Sequence, residues 1–168
     1  NTIAATTGNN SITTGDGADT ITVSTGNNTI HAGSGANTIT ASSGNNTITA
    51  GDGADTITTD GLAGGTNTID AGNGANTVTT GAGNDTVTSG NGADTITTGA
   101  GDDTITIKGG IDTIAAGAGN DTLIADLTLA TGAVSLSALA GTAAAGYAGN
   151  ISGLGIATFA GVENFEIT

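Results

Sequence analysis

A branched apolar residue returns every nine positions through most of this chain, and no other feature restricts its fold as tightly. Ile3, Ile12, Ile21, Ile30, Ile39, Ile48 and Ile57 keep the step without a break. A slip of three residues, within Thr58–Asn67, leads to Ile69, and Val78, Val87, Ile96, Ile105, Ile114 and Leu123 resume the step. Fourteen positions hold one phase with one insertion, which low-complexity drift would not do. Such a period marks a stacked array, in which each repeat buries its apolar residue against its neighbours.

The surrounding residues say what each repeat is. The apolar residue usually stands in a Thr-Ile-Thr or Thr-Val-Thr triplet, a short β segment with the branched residue on one side and Thr on the other. Glycine pairs between triplets permit tight turns with positive φ. No window carries a 3.6-residue period, so almost no helix is expected. Two nonapeptides complete one coil, and coils stack about 4.8 Å apart. The expected fold is all-β: a right-handed parallel β-roll, or β-solenoid, over residues 1–125, followed by an irregular β-rich capping segment over residues 126–168.

Composition narrows the partners. With 31 Gly, no Cys, Pro, Met or Trp, and only Tyr147, Phe159 and Phe165 as aromatics, a conventional core is poorly supplied. The net charge is −14, with Lys108 the single basic side chain. That excludes nucleic acid and anionic membrane surfaces and favours cations. No apolar run reaches transmembrane length, so membrane insertion is not expected. The absence of Cys excludes disulfides and thiolate-bound metals.

Numbering each repeat so that the branched residue is position eight puts an Asp or Asn at position six. Residues eighteen apart then form two columns, one on each edge of the coil. The first edge reads Asn1, Asp19, Asn37, Asp55, Asn76, Asp94, Asp112, and the second reads Asn10, Asn28, Asn46, Asn67, Asp85, Asp103, Asp121. Glycine pairs precede the first-edge residues from Asp19 to Asp94: Gly15 and Gly17, Gly33 and Gly35, Gly51 and Gly53, Gly72 and Gly74, Gly90 and Gly92. On the second edge they appear only before the acids, at Gly81 and Gly83, Gly99 and Gly101, Gly117 and Gly119. Asp and Asn are common turn residues, but one fixed position through a dozen turns asks for more. Glycine-turn carbonyls and side-chain oxygens from stacked turns supply an all-oxygen donor set, which suits Ca²⁺.

The expected side-chain ligands are Asp19, Asn37, Asp55, Asn76, Asp94, Asp85, Asp103 and Asp121, with the glycine pairs giving carbonyls. Asp112 is a further candidate, although its turn, "IKGGID", departs from the motif. Pairing of stacked turns gives roughly six to eight Ca²⁺ ions. Alternating Asp with Asn on the first edge would leave about one carboxylate per site. The early second-edge turns, "TTGNN", "STGNN", "SSGNN" and "AGGTN", are expected to form stacked amide ladders instead. An acidic chain with so small a core is expected to be loose without the ion and to fold as it binds.

Residues 1–125 resemble the RTX family of Gly- and Asp-rich nonapeptide repeats. The resemblance implies a Ca²⁺-binding parallel β-roll, export by type I secretion, and folding in the calcium of the extracellular space. RTX arrays occur in toxins, proteases, lipases, adhesins and surface-layer proteins.

Beyond the array, short apolar alternations at 127–130 and 133–139 suggest strands, and "GVENFEIT" resembles segments that follow RTX blocks. This segment should cover the last coil, with Phe159, Val162, Phe165 and Ile167 as its apolar contacts. The Asn1 end carries no capping segment, which fits an array that continues upstream or docks another copy.

Nothing in the residues asks for an enzyme. The lone His31 replaces an outward Thr, Asp102 and Asp103 fall on a repeat turn, and Lys108 reads as a charge partner for Asp112. The outward Thr pairs Thr20/Thr22, Thr38/Thr40, Thr56/Thr58, Thr77/Thr79 and Thr95/Thr97 make one unbroken face. The expected role is therefore an extracellular structural one: a segment of a surface layer, matrix filament or adhesin whose partners are copies of itself or adjoining repeats. Two alternatives stand beside it: the calcium-folding secretion module of a larger toxin or hydrolase, and an ice-binding solenoid using the Thr face.

Overall fold

A computed structural model of the chain describes residues 1–59, 64–126, 128, 135–142, 146–152 and 156–168. Among these residues there is no helix. Strands follow one another at the period of the sequence. They are β1 (Thr2–Ala5), β2 (Ser11–Thr13), β3 (Thr20–Val23), β4 (Thr29–His31), β5 (Thr38–Ala41), β6 (Thr47–Thr49) and β7 (Thr56–Thr59). After the insertion come β8 (Thr68–Asp70), β9 (Thr77–Thr80), β10 (Thr86–Thr88), β11 (Thr95–Ala100), β12 (Thr104–Ile107), β13 (Thr113–Ala118) and β14 (Thr122–Ala125).

Odd strands form one parallel sheet and even strands the other, so the chain winds as a β-solenoid of about seven turns. Register follows the nonapeptide: Ile3 lies opposite Ile21, Ile21 opposite Ile39, and Val87 opposite Ile105. The three extra residues do not disturb it. Ile57 lies opposite Val78 and Ile48 opposite Ile69, because a slip in a half-buried sheet would turn every apolar side chain outward. The loop absorbs the insertion, and residues 60–63 of it lie outside the described residues.

The core is the column of branched residues, from Ile12 to Leu123, all buried. Strand alternation brings a second position inside, two residues beyond each branched one: Val23, Ala32, Ala41, Ala50 and Ala71 are buried as well. Small side chains there let the sheets approach closely. The residues between point outward, and Thr20 and Thr22 stack in register on Thr38 and Thr40, these on Thr56 and Thr58, and so on to Thr95 and Thr97.

The C-terminal segment continues both sheets. It holds β15 (Ser135–Thr142), β16 (Gly146–Ser152), β17 (Ile156–Val162) and β18 (Asn164–Ile167). Strand β17 lies parallel to β13, with Phe159 opposite Ile114, and β18 lies parallel to β14, with Phe165 opposite Leu123. The two phenyl rings stack at 5.5 Å across the roll, so Phe159 and Phe165 take the places of the branched residue in one further coil. Strands β16 and β15 then extend the first sheet antiparallel. Of the expected strands, the alternation at 133–139 overlaps β15, whereas residues 127 and 129–130 lie outside the described residues.

Phe159 and Val162 are buried and Phe165 packs half-buried against the core. Ile167 departs from expectation and is 49% exposed. It stands opposite Ala125 on the last strand of its sheet, so it has a neighbour on one side only.

Candidate metal centre

Each position-six residue ends a turn and opens the next strand, which points its side chain back into the coil. From Asp19 to Asp112 on the first edge, and from Asn28 to Asp121 on the second, every one is at most 2% exposed. Each carbonyl or carboxylate Oδ1 accepts a hydrogen bond from the position-six N–H of the preceding coil. On the first edge, Asn37 N donates to Asp55 at 2.8 Å, Asn76 N to Asp94 at 2.9 Å and Asp94 N to Asp112 at 2.9 Å. On the second, Asp85 N donates to Asp103 at 2.8 Å and Asp103 N to Asp121 at 2.9 Å. Oδ1 thus satisfies the backbone in acid and amide alike, and the difference between them rests on the other terminal atom.

In the amides that atom is a donor. Asn37 Nδ2 donates to Gly33 O at 3.2 Å and Gly35 O at 2.9 Å, and Asn76 Nδ2 to Gly72 O at 3.2 Å and Gly74 O at 3.1 Å. Second-edge amides do the same with the one glycine they have, and add a bond to the next rung. Asn28 Nδ2 donates to Gly26 O at 2.7 Å and Asn46 Oδ1 at 2.9 Å. Asn37 and Asn76, expected as oxygen ligands, therefore present nitrogen to the turn carbonyls.

In the ionised acids the atom is an oxygen that cannot donate. Oδ2 of Asp19, Asp55, Asp85, Asp94, Asp103, Asp112 and Asp121 is buried without a hydrogen-bond partner. A buried acceptor without a partner is costly, and more so when charged. Burial accordingly pushes the Asp55, Asp94 and Asp121 carboxyls up. It drives Asp103 up to about 6, with a smaller push from the Asp85 and Asp121 charges. Asp112 also rises to about 6 through burial, reinforced by Asp94. Lys108 does not relieve this: among the described residues no ion pair joins it to Asp112, and it is exposed.

Successive turns stack backbone on backbone. At Gly33, with φ of 85°, an added Cβ would lie 2.3 Å from Gly15 O of the coil before. Gly35 N donates to Asp52 O of the coil after, at 2.7 Å, so turns are hydrogen-bonded to turns as strands are to strands. Of the expected glycine pairs, only Gly81 and Gly90 avoid a left-handed φ.

Among the described residues no three His, Asp or Glu side chains converge to hold an ion. A cation here must draw on carbonyls as well as carboxylates. The donors at hand, the buried carboxylate Oδ2 atoms and the carbonyls of the glycine turns that precede them, are all hard oxygens, the set that suits Ca²⁺. The model of the RTX calcium-binding nonapeptide repeat (4 copies) matches residues 1–30, 31–61, 63–96, 88–106 and 107–127. The chain belongs to the RTX calcium-binding nonapeptide repeat family. No curated protein and no solved structure matches it. The RTX turns are thus calcium-binding repeats in a β-solenoid.

Two features escaped the sequence reading. The first is a hydroxyl five residues before four of the acids, buried at Thr80 before Asp85, Ser89 before Asp94 and Thr98 before Asp103, and half-buried at Thr14 before Asp19. Ala32, Ala41 and Ala71 hold that place before Asn37, Asn46 and Asn76. The second is Glu163, whose Oε2 accepts a 2.8 Å bond from Asp121 N and so continues the acid ladder into the cap. Glu163-Asn164-Phe165 repeats the spacing of Asp121-Thr122-Leu123, and that is the signal that could have found it.

Proposed function

We propose that this chain is a calcium-loaded extracellular structural segment, part of a surface layer, matrix filament or adhesin, whose folding is driven by ions at its acid turns. The observation that carries the reading is the set of seven buried, unpartnered Asp Oδ2 atoms on stacked glycine turns. Asp19, Asp55, Asp85, Asp94, Asp103, Asp112 and Asp121 would hold the ions, with the turn carbonyls around them. RTX proteins are typically exported by type I secretion and bind extracellular calcium, which supports a place outside the cell. The structural role draws on the regular faces: two flat sheets of outward Thr, with His31 and Asp70 as isolated interruptions on one of them. Such faces suit contacts with further copies or adjoining repeats, and the role assigned is one without catalysis.

The test is a calcium titration of the purified chain, followed by circular dichroism and negative-stain microscopy. The expected result is β signal together with ordered sheets or filaments at roughly 0.1–1 mM Ca²⁺. A chain that folds yet stays monomeric at high concentration overturns the assembly role. The registered Thr20–Thr97 grid favours one second reading, binding to ice. Thermal hysteresis that disappears in Thr38→Lys would support it.

A further inference from the structure

The second edge does not end with the array. Phe165 follows Phe159 by a step of only six residues, against nine in the regular array, and Glu163 alone stands between β17 and β18. This short turn seats on the last glycine turn: an added Cβ on Gly161 would lie 2.8 Å from Gly117 N and 3.0 Å from Gly117 O. Glu163 N and Asn164 N both donate to Asp121 O, at 3.0 and 2.8 Å. Glu163 Oε2 takes the place that Asp121 Oδ1 takes one coil earlier, accepting from the N–H below it. The longer side chain makes up for the shorter turn.

Asp121 is fully buried, and its Oδ2 has no partner. On every earlier second-edge acid turn the next coil supplies another Asp. Here the next coil supplies a glutamate whose Oε1 takes no part in the ladder.

We infer that Glu163 is a cation ligand, and that the last Ca²⁺ site of the second edge is closed by the cap, between the Asp121 carboxylate and the Glu163 carboxylate. The inference rests on the calcium reading of the acid turns and adds a ligand that lies outside the nonapeptide motif. Its consequence is that one ion joins the C-terminal segment to the roll. The cap then locks only when calcium is present, although β17 and β18 carry no repeat of their own.

The experiment is calorimetric titration of the full chain with Ca²⁺, together with hydrogen exchange read by mass spectrometry. Three proteins are compared: the native chain, Glu163→Gln and Asn164→Ala. Gln keeps an acceptor for Asp121 N–H but carries no charge. Asn164→Ala removes the amide contacts with Asn120 Oδ1 at 3.3 Å and with the Asp121 backbone carbonyl at 3.4 Å, keeps the backbone N–H that bonds the same carbonyl, and spares both carboxylates. Glu163→Gln is expected to bind one ion fewer and to lose calcium-dependent protection in Asn164–Ile167, while Thr20–Asp70 keeps its protection. Asn164→Ala should bind the native number of ions. Unchanged stoichiometry in Glu163→Gln overturns the inference and leaves Glu163 as a hydrogen-bonding rung. Loss of the ion in Asn164→Ala also overturns it, because seating of the cap rather than the carboxylate would then be the cause. A native chain that binds no Ca²⁺ instead removes the proposed function itself.

Discussion

The second edge of the roll changes character halfway along. Up to Asn67 its rungs are amides, each donating to a glycine carbonyl and to the rung beyond, as Asn46 does to Gly44 O and Asn67 Oδ1. From Asp85 to Asp121 the rungs are carboxylates whose second oxygens are buried without partners. Strand register and branched core run through both halves, and the first glycine of the turn arrives with the acids. At the rung itself, one terminal atom per coil separates a stack complete in itself from a stack that needs a positive charge. The first edge mixes the two, with Asn37 and Asn76 set among Asp19, Asp55 and Asp94.

Removing calcium should make the largest difference between the halves. Coils built from β9 to β14 carry Asp85, Asp94, Asp103, Asp112 and Asp121, whereas those from β3 to β8 carry Asp19 and Asp55. In excess chelator, amides of β9–β14 should exchange roughly a hundredfold faster than with Ca²⁺, and those of β4 and β6 should change far less. Hydrogen exchange of the native chain with and without chelator reads this directly. Uniform loss along the chain would break the comparison, and a fully folded circular dichroism spectrum in chelator would remove calcium dependence altogether.

Acid should mimic the metal. A carboxyl whose folded-state pKa is raised binds its proton more tightly folded than unfolded. The contribution of Asp103 and Asp112 to the stability of the metal-free roll is then fully present below the ordinary value of 3.8 and is lost as pH rises through about 6. A protonated Oδ2 can donate to glycine carbonyls as Asn37 Nδ2 does. Thermal melts of the metal-free chain should therefore show a more stable roll at pH 4 than at pH 7. With Ca²⁺ the order reverses, because protons compete for the same oxygens. A metal-free melt that rises from acid to neutral pH would contradict the reading of Oδ2 as the costly atom.

The period, the pairing of strands and the two columns were legible in the sequence because all three follow from where a branched residue can be buried. Even the insertion was legible, since Ile69 could return to the core only by resuming the phase. What the amides do was not. Asn37 and Asp55 read alike as oxygen donors in a turn, and only atomic positions reveal that Nδ2 faces Gly33 O and Gly35 O. The cap was half legible. Phe159 and Phe165 were expected inside, but the shortened six-residue step between them hid that Glu163 stands in the Asp column, and the exposed Ile167 follows from its place at the end of a sheet.

The smallest and sharpest effects should come from exchanging single rungs. Asn46→Asp puts a carboxylate where Ser42 replaces the first glycine, so it should lower stability by about 1–3 kcal/mol with or without calcium, the cost of a buried group left unpaired. Asn76→Asp makes the same chemical change between Gly72 and Gly74, whose carbonyls already meet Nδ2. It should cost as much in chelator, yet recover the loss when Ca²⁺ is added and gain an ion in calorimetric titration. Denaturant melts of both variants, each with and without Ca²⁺, separate two explanations of the columns. If both recover, a carboxylate at position six is sufficient and the first glycine is only a turn former. If Asn76→Asp alone recovers, the glycine pair is part of the donor set, and the missing pairs before Asn28 and Asn46 mark turns built to stand without an ion.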